Sequence, residues 1–356
     1  MTQPRIAYWC TSFEKGMEAV ANEVATLRDA FPGSALWGVT GRTPFARLSR
    51  HDGLAFNPAL QLLMRGVTRL LQMRYEINHV FGGLDNWFHL RALRDKPAVM
   101  TLAVDRSPTA MNLLNRIDRF VVEWPGGRQK LEALGIESQR ISLIYPPVNL
   151  EQFVPRPEPV GPFTVLFASS PEPAGEIEAR GVDLIIEAAR RRPQWRFCLL
   201  WRPWGDALPR IQHLIEAAGV SNVALHVGRC PDMAAVYPAV HATVFVPRNP
   251  MRCKPSPNSL AESMACARPV VASPAVGMAP LIESEGSGLI ADDTVCGLVS
   301  ALETIEGRWN AFARRARRAA ERHFDQRCFV EQYRSVYEAV LHGHRRTLDH
   351  TLRRAA

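Results

Sequence analysis

The sequence contains no Cys-x-x-Cys pair. Its seven cysteines are Cys10, Cys198, Cys230, Cys253, Cys266, Cys296 and Cys328. The odd number and wide spacing argue against a zinc ribbon, a thioredoxin-type site and a disulfide scaffold. They read as reduced thiols of a cytoplasmic protein. No stretch approaches the roughly 20 apolar residues that cross a bilayer. The first nine residues are too short and polar for a secretory leader. Gly-x-Gly-x-x-Gly and Gly-x-x-x-x-Gly-Lys-Ser/Thr are both missing, which argues against dinucleotide enzymes and P-loop NTPases. No Gly-x-Ser-x-Gly elbow occurs. No Asp-x-Asp pair occurs either, so one common way of holding a metal with a diphosphate is absent. Lysine is scarce: Lys15, Lys96, Lys130 and Lys254 are the four among 43 basic residues.

What is present is an ordinary globular chain of 356 residues, 47% hydrophobic and 22% charged. That length favours two domains over one. The formal charge is +8. Twelve arginines against five carboxylates lie beyond residue 307, so the last helices carry most of that excess.

The first half alternates apolar runs with helical periods. Strands are expected over residues 5–9, 35–39, 79–81, 98–102, 120–122 and 141–145. Helices are expected over 17–30, from Asn57-Pro58 to Leu71, and up to Leu134-Gly135. A proline-rich stretch, residues 146–162, reads as a linker. The alternation then restarts, with strands over 163–167, 196–201, 223–227, 243–246 and 269–272. Helices are expected over 182–191, 209–218 and 259–266, and a closing helix over 329–341. Two runs of β-α alternation predict two parallel sheets, each covered by helices. Ligands of such sheets lie at the carboxyl ends of the strands and at helix N-termini.

The informative stretch is Val223 to Ile290. It contains Val227-Gly228-Arg229-Cys230 and Thr243-Val244-Phe245-Val246-Pro247. It continues through Asn258-Ser259-Leu260-Ala261-Glu262 to Pro269-Val270-Val271-Ala272, and ends in Gly286-Ser287-Gly288-Leu289-Ile290. This resembles the nucleotide-binding half of a GT-B glycosyltransferase of family 4. Arg180-Gly181-Val182-Asp183, Tyr145-Pro146-Pro147-Val148-Asn149 and residues 324–341 fit the same resemblance, which covers roughly residues 139–341. It implies an α/β fold of two Rossmann-like doubly wound domains facing a cleft, with a C-terminal helix crossing back to the first. The implied boundaries are 1–155 for the acceptor domain, 156–325 for the nucleotide-sugar domain, and 326–356 for the returning helix and basic tail.

The resemblance implies transfer of a sugar from a nucleotide-diphosphate donor to an acceptor hydroxyl, without a metal and with retention. The acceptor is a glycan, a lipid-linked molecule or a small molecule. No cofactor beyond the donor is implied. A non-catalytic nucleotide-binding subunit and a sugar-nucleotide epimerase are the alternatives.

Glu262 is implied to accept hydrogen bonds from a ribose diol. A first-turn glutamate complementing the helix dipole is the plainer reading. Arg180, Arg229, Cys230, Lys254, Asn258, Ser259 and Leu260 complete the expected nucleotide-sugar site. Lys254 stands where the family commonly has a second glutamate, eight residues before Glu262. A lysine cannot accept the same hydrogen bonds. It pairs with Glu262, contacts a phosphate or binds an acidic sugar, or it is a surface residue. In the first domain the family's usual histidine position is Ala103. Asp105 and His79 are the candidates to act there instead, although such residues after strands are often caps. Glu14-Lys15-Gly16 keeps one glycine of the family's first loop.

Two basic faces stand out. Arg65, Arg69 and Arg74 follow one helix, and Arg314, Arg315, Arg317 and Arg318 another. Each suits either solvent or an anionic membrane surface, so a cytoplasmic protein with peripheral membrane contact is expected. No aromatic-interleaved signature points to nucleic acid.

Overall fold

The computed structural model describes residues 3–10, 19–39, 45–47, 54–56, 61–85, 93, 96–108, 111–202, 205–250 and 253–355. The chain divides into two compact units, residues 1–145 with 327–356 and residues 146–326.

The first unit runs β1 (Ile6–Cys10), α1 (Ala19–Ala30), β2 (Ala35–Val39), β3 (Phe45–Arg47), β4 (Leu54–Phe56) and α2 (Gln61–Leu71). It continues through β5 (Ile77–Gly82), β6 (Ala98–Leu102), β7 (Arg119–Val122), α3 (Pro125–Ala133) and β8 (Ile141–Leu143). The second unit runs β9 (Thr164–Phe167), α4 (Val182–Arg191), β10 (Arg196–Trp201), α5 (Ala207–Ala218), β11 (Val223–Val227), β12 (Ala242–Phe245) and α6 (Asn258–Ala265). After these come β13 (Val270–Ala272), α7 (Ala279–Glu285), β14 (Gly288–Ile290), α8 (Val295–Gly307) and α9 (Trp309–His323). The last helix, α10 (Gln326–Ala355), belongs almost wholly to the first unit.

The first sheet has the order β3-β4-β2-β1-β5-β6-β7-β8. Its strands are parallel except at one edge, where β3 and β4 are antiparallel. That corrects the expectation of a wholly parallel sheet. Six residues separate β3 from β4, too few for the crossover that a parallel pair requires. The second sheet has the order β11-β10-β9-β12-β13-β14 and is parallel throughout. This is the doubly wound order, with its reversal between β9 and β12.

Buried runs explain the central strands. All five side chains of β1 are buried, because helices cover both faces of a parallel sheet. Ala7 and Trp9 enter one core with Trp37, Val80, Met100 and Phe120. Ile6 and Tyr8 enter the opposite core with Phe81, Val99, Phe329, Tyr333 and Tyr337. The second core therefore includes α10, which fastens the end of the chain to the sheet. The helix is far longer than the 329–341 expected, since its polar flanks carry no apolar period to read.

The helix start expected at Asn57-Pro58 and the Glu14-Lys15-Gly16 loop lie outside the described residues. Among the described residues, no helix is long and apolar enough to cross a membrane.

Gly181 shows how backbone geometry shapes the second unit. It precedes α4 in the left-handed region, with φ +71°. A Cβ there would lie 2.1 Å from the Val246 carbonyl oxygen. Only glycine lets this turn press against the end of β12. Gly181→Ala is therefore expected to cost at least ~2 kcal/mol. Thermal unfolding checks this, with Tm expected to fall by roughly 5 °C. An unchanged Tm would refute the close approach.

Candidate functional site

The carboxyl ends of β9, β10, β11 and β12 bring together the groups that sequence reasoning had scattered over a hundred residues. β9 ends in Phe167, and Ser169 and Ser170 follow. The Ser170 hydroxyl accepts a hydrogen bond from the Arg202 amide at 3.1 Å, which ties the ends of β9 and β10. Arg180 reaches the same place. Its Nη1 donates to Ser169 Oγ at 3.1 Å, and its Nη2 lies 3.6 Å from Glu176 Oε2. Burial lowers the Arg180 pKa, against the opposing pull of Glu176 and Cys253. Its Nε is buried without a hydrogen-bond partner among the described residues. Two corners of the guanidinium thus fix its position at the strand ends.

Helix α6 begins after Pro257 with no side-chain cap. Lys254 lies in the loop before it, and its Nζ donates to Asn258 Oδ1 at 3.2 Å. Asn258 and Ser259 are half-buried at the first turn. Leu260 is wholly buried, so its side chain packs in the core and does not face a ligand. Only its backbone is left to take part in the expected site.

Glu262 is the fifth residue of α6. The Tyr237 hydroxyl lies 3.0 Å from Glu262 Oε2 and 3.0 Å from the Ser259 carbonyl. Burial pushes the Glu262 carboxyl up to about 7, against the lowering effects of Tyr237, Arg202 and Lys254. A hydroxyl has one proton, which fixes two alternative arrangements. When Glu262 is protonated, it donates to the Tyr237 oxygen and Tyr237 donates to Ser259. When Glu262 is ionised, Tyr237 donates to the carboxylate. Sequence reasoning missed Tyr237 as this partner. It stands 25 residues before Glu262, and no local pattern links them.

Gly228 follows β11 with φ +139°, and its amide donates to the Trp201 carbonyl at 2.9 Å. Arg229 and Cys230 then line one end of a cavity of about 1000 Å³. The cavity runs along β10 and β11 past Cys198, Leu200, Ala224 and His226, and neither Arg180, Lys254 nor Glu262 lines it.

The first unit holds the two remaining candidates. Asp105 lies in the loop after β6 and forms an ion pair with Lys130 at 2.5 Å. His79 is not at a strand end. It is the third residue of β5 and wholly buried. One ring nitrogen meets the Tyr337 hydroxyl at 2.7 Å and the other meets Thr101 Oγ1 at 2.8 Å. Thr101 Oγ1 in turn meets the Tyr333 hydroxyl at 2.7 Å. Burial holds the His79 pKa well below its usual 6.5. This network pins α10 to the sheet, and both ring nitrogens are used. His79 is a core residue, which removes it as a catalytic candidate.

The family described as Glycosyl transferases group 1 matches residues 163–306. That segment of the chain is thus similar to group 1 glycosyltransferases. Every strand-end residue described above in the second unit falls within that matched segment.

Solved structures extend the likeness to both units. HepE of Anabaena, in complex with UDP, is 18% identical, with a TM-score of 0.74 over 94% of this chain and 100% of that one. Sucrose-phosphate synthase of Thermosynechococcus elongatus is 16% identical, with a TM-score of 0.73 over 95% of this chain and 100% of that one. A glycosyltransferase of Rickettsia africae is 15% identical, with a TM-score of 0.73 over 95% and 99%. These likenesses establish the GT-B fold. HepE has also been solved with UDP-glucose and with UDP and glucose. No curated protein sequence matches the chain.

Proposed function

We propose that the chain transfers a sugar from a nucleotide-diphosphate donor to an acceptor hydroxyl, without a metal and with retention at the anomeric carbon. The observation that carries this reading is the cluster of Arg180, Lys254 and Glu262 at the strand ends of the glycosyltransferase domain. The HepE complexes with UDP and UDP-glucose support a uridine donor.

Glu262 accepts the ribose diol. The Arg180 guanidinium charge, the first amides of α6 and the Lys254 ammonium take the diphosphate, whose leaving charge they stabilise. Arg229 and Cys230 border the base. The first unit binds the acceptor, a glycan, a lipid-linked molecule or a small molecule. Asp105 is the candidate there for proton transfer or for stabilising a cationic transition state. Peripheral contact with an anionic membrane fits the arginine excess of the last helices.

A thermal-shift screen against UDP-, GDP-, ADP- and TDP-sugars tests the donor assignment. A ligand at a hundred times its Kd stabilises the folded state by about 2.7 kcal/mol. One base is expected to raise Tm and the others to leave it unchanged. No shift with any of them refutes the site. A shift without hydrolysis or transfer would instead favour a binding subunit, and conversion of the sugar without an acceptor would favour an epimerase.

Tyr237 offers a sharper check. A ribose diol donates to an ionised carboxylate, so affinity should rise with pH as Glu262 loses its proton near 7. The Tyr237 hydroxyl favours that ionised form. Tyr237→Phe is expected to move the midpoint of nucleotide affinity to higher pH, with affinity partly recovered in alkaline buffer. Calorimetric titrations across pH 6–9 read this. A uniform loss at every pH would mean that Tyr237 only packs.

A further inference from the structure

The second unit contains another concave surface that shares no residue with the strand-end cluster. Pro155, Arg156, Pro157 and Glu158 face the outer side of α9 across a cavity of about 600 Å³. Ala267, Trp309 and Ala313 supply its apolar wall. Four guanidinium groups, from Arg156, Arg314, Arg317 and Arg318, line it against one carboxylate, Glu158.

Two of these charged groups are already engaged. Asn310 Nδ2 donates to Glu158 Oε2 at 3.3 Å. Arg317 donates to the Phe153 and Ala265 carbonyls at 3.0 and 2.7 Å and pairs with Glu321. Arg156, Arg314 and Arg318 are exposed and form no side-chain hydrogen bond or ion pair among the described residues. Arg314 and Arg318 are also four apart on one helix face, where like charges repel. The helix sustains that repulsion in a recess whose wall is a buried indole. An anion in the recess would relieve it.

We propose that this groove binds a phosphate ester. Planar guanidinium forks match phosphate oxygens, and the apolar wall suits the organic group that the phosphate carries. Two sources offer this chemistry, an anionic lipid headgroup and a soluble phosphate ester.

The test uses the full chain and vesicles of phosphatidylcholine with or without one quarter phosphatidylglycerol, followed by co-sedimentation. Glycerol 1-phosphate serves as the soluble probe, by calorimetry and by competition. The wild type is expected to bind at least one probe. Arg314→Ala with Arg318→Ala is expected to lower that affinity roughly thirtyfold, at about fivefold per arginine near a surface. Its Tm should not fall, because neither side chain is buried and their mutual repulsion is removed, and its nucleotide affinity should stay unchanged. Competition by glycerol 1-phosphate assigns the groove to the ester itself. Vesicle binding without competition assigns it to a headgroup in a bilayer. Failure to bind either probe overturns the proposal. So does wild-type affinity in the double variant, or binding that disappears only when Arg345, Arg346, Arg353 and Arg354 are replaced.

Discussion

Glu262→Gln is expected to destroy nucleotide affinity while raising the Tm of the free protein above pH 7. The two effects have one cause. Burial raises the carboxyl from 4.5 to about 7, so the folded chain binds this proton more tightly than the unfolded chain does. The stability gained from the proton is complete below about pH 4.5 and is lost as pH rises through about 7. At pH 8 the folded protein carries an ionised carboxylate that burial disfavours, at a cost of up to about 3 kcal/mol. The amide is neutral and close in shape, so it removes that cost. It also removes the acceptor pair that a ribose diol requires. Hydrogen bonds to a charged group contribute about 1.5–3 kcal/mol each, so the loss of two should weaken binding on the order of a hundredfold or more. Calorimetry at pH 8 and thermal unfolding at pH 5 and 8 measure both effects. Unchanged affinity would remove Glu262 from the donor site. A Tm gain equal at both pH values would show that the carboxyl is not held near neutrality.

Arg268→Met is expected to give the largest loss of stability. Arg268 is wholly buried, yet each terminal group of its guanidinium has a partner. Nε donates to the Tyr237 carbonyl at 2.9 Å and Nη1 to the Arg156 carbonyl at 2.9 Å. Nη2 donates to the Pro157 carbonyl at 2.9 Å and to the Pro238 carbonyl at 3.4 Å. Its plane lies 5.2 Å from the centre of a Trp309 ring. Burial lowers its pKa to about 10, which still leaves it charged at neutral pH. This side chain holds part of the proline-rich stretch, residues 156 and 157, against the turn that carries Tyr237. Methionine fills much of the volume and supplies no donor, so four carbonyls lose their partner. The expected cost is about 3–5 kcal/mol, or a Tm lower by roughly 10 °C. Nucleotide affinity should fall as well, because Tyr237 positions Glu262. Lysine should not rescue either effect, since one ammonium cannot span the fork. A change below about 1 kcal/mol in urea unfolding would show that the carbonyls find other donors.

Much of this was legible from local pattern. Ile6 to Cys10 and Thr164 to Phe167 are apolar enough to be central strands in any arrangement. Glu262 on the helix before Val270-Val271-Ala272, and Arg180 before α4, could be singled out because spacing and turn residues act over a few positions. The sequence by itself thus determined the β-α alternation, the GT-B resemblance and the second-unit residues on which the donor proposal rests.

Tertiary structure decided what those side chains are able to do. His79 looked like a strand-end histidine, but three elements close over it and use both ring nitrogens. The pair of Glu262 with Tyr237 spans two strand connections, and the partners of Arg268 lie up to 112 residues away. The arginine excess beyond residue 307 was countable, but not which guanidiniums would be engaged and which left lining a groove. Desolvation and hydrogen-bond satisfaction depend on what packs against a group from distant segments. Local pattern carries the period of a helix or strand and says nothing of those neighbours.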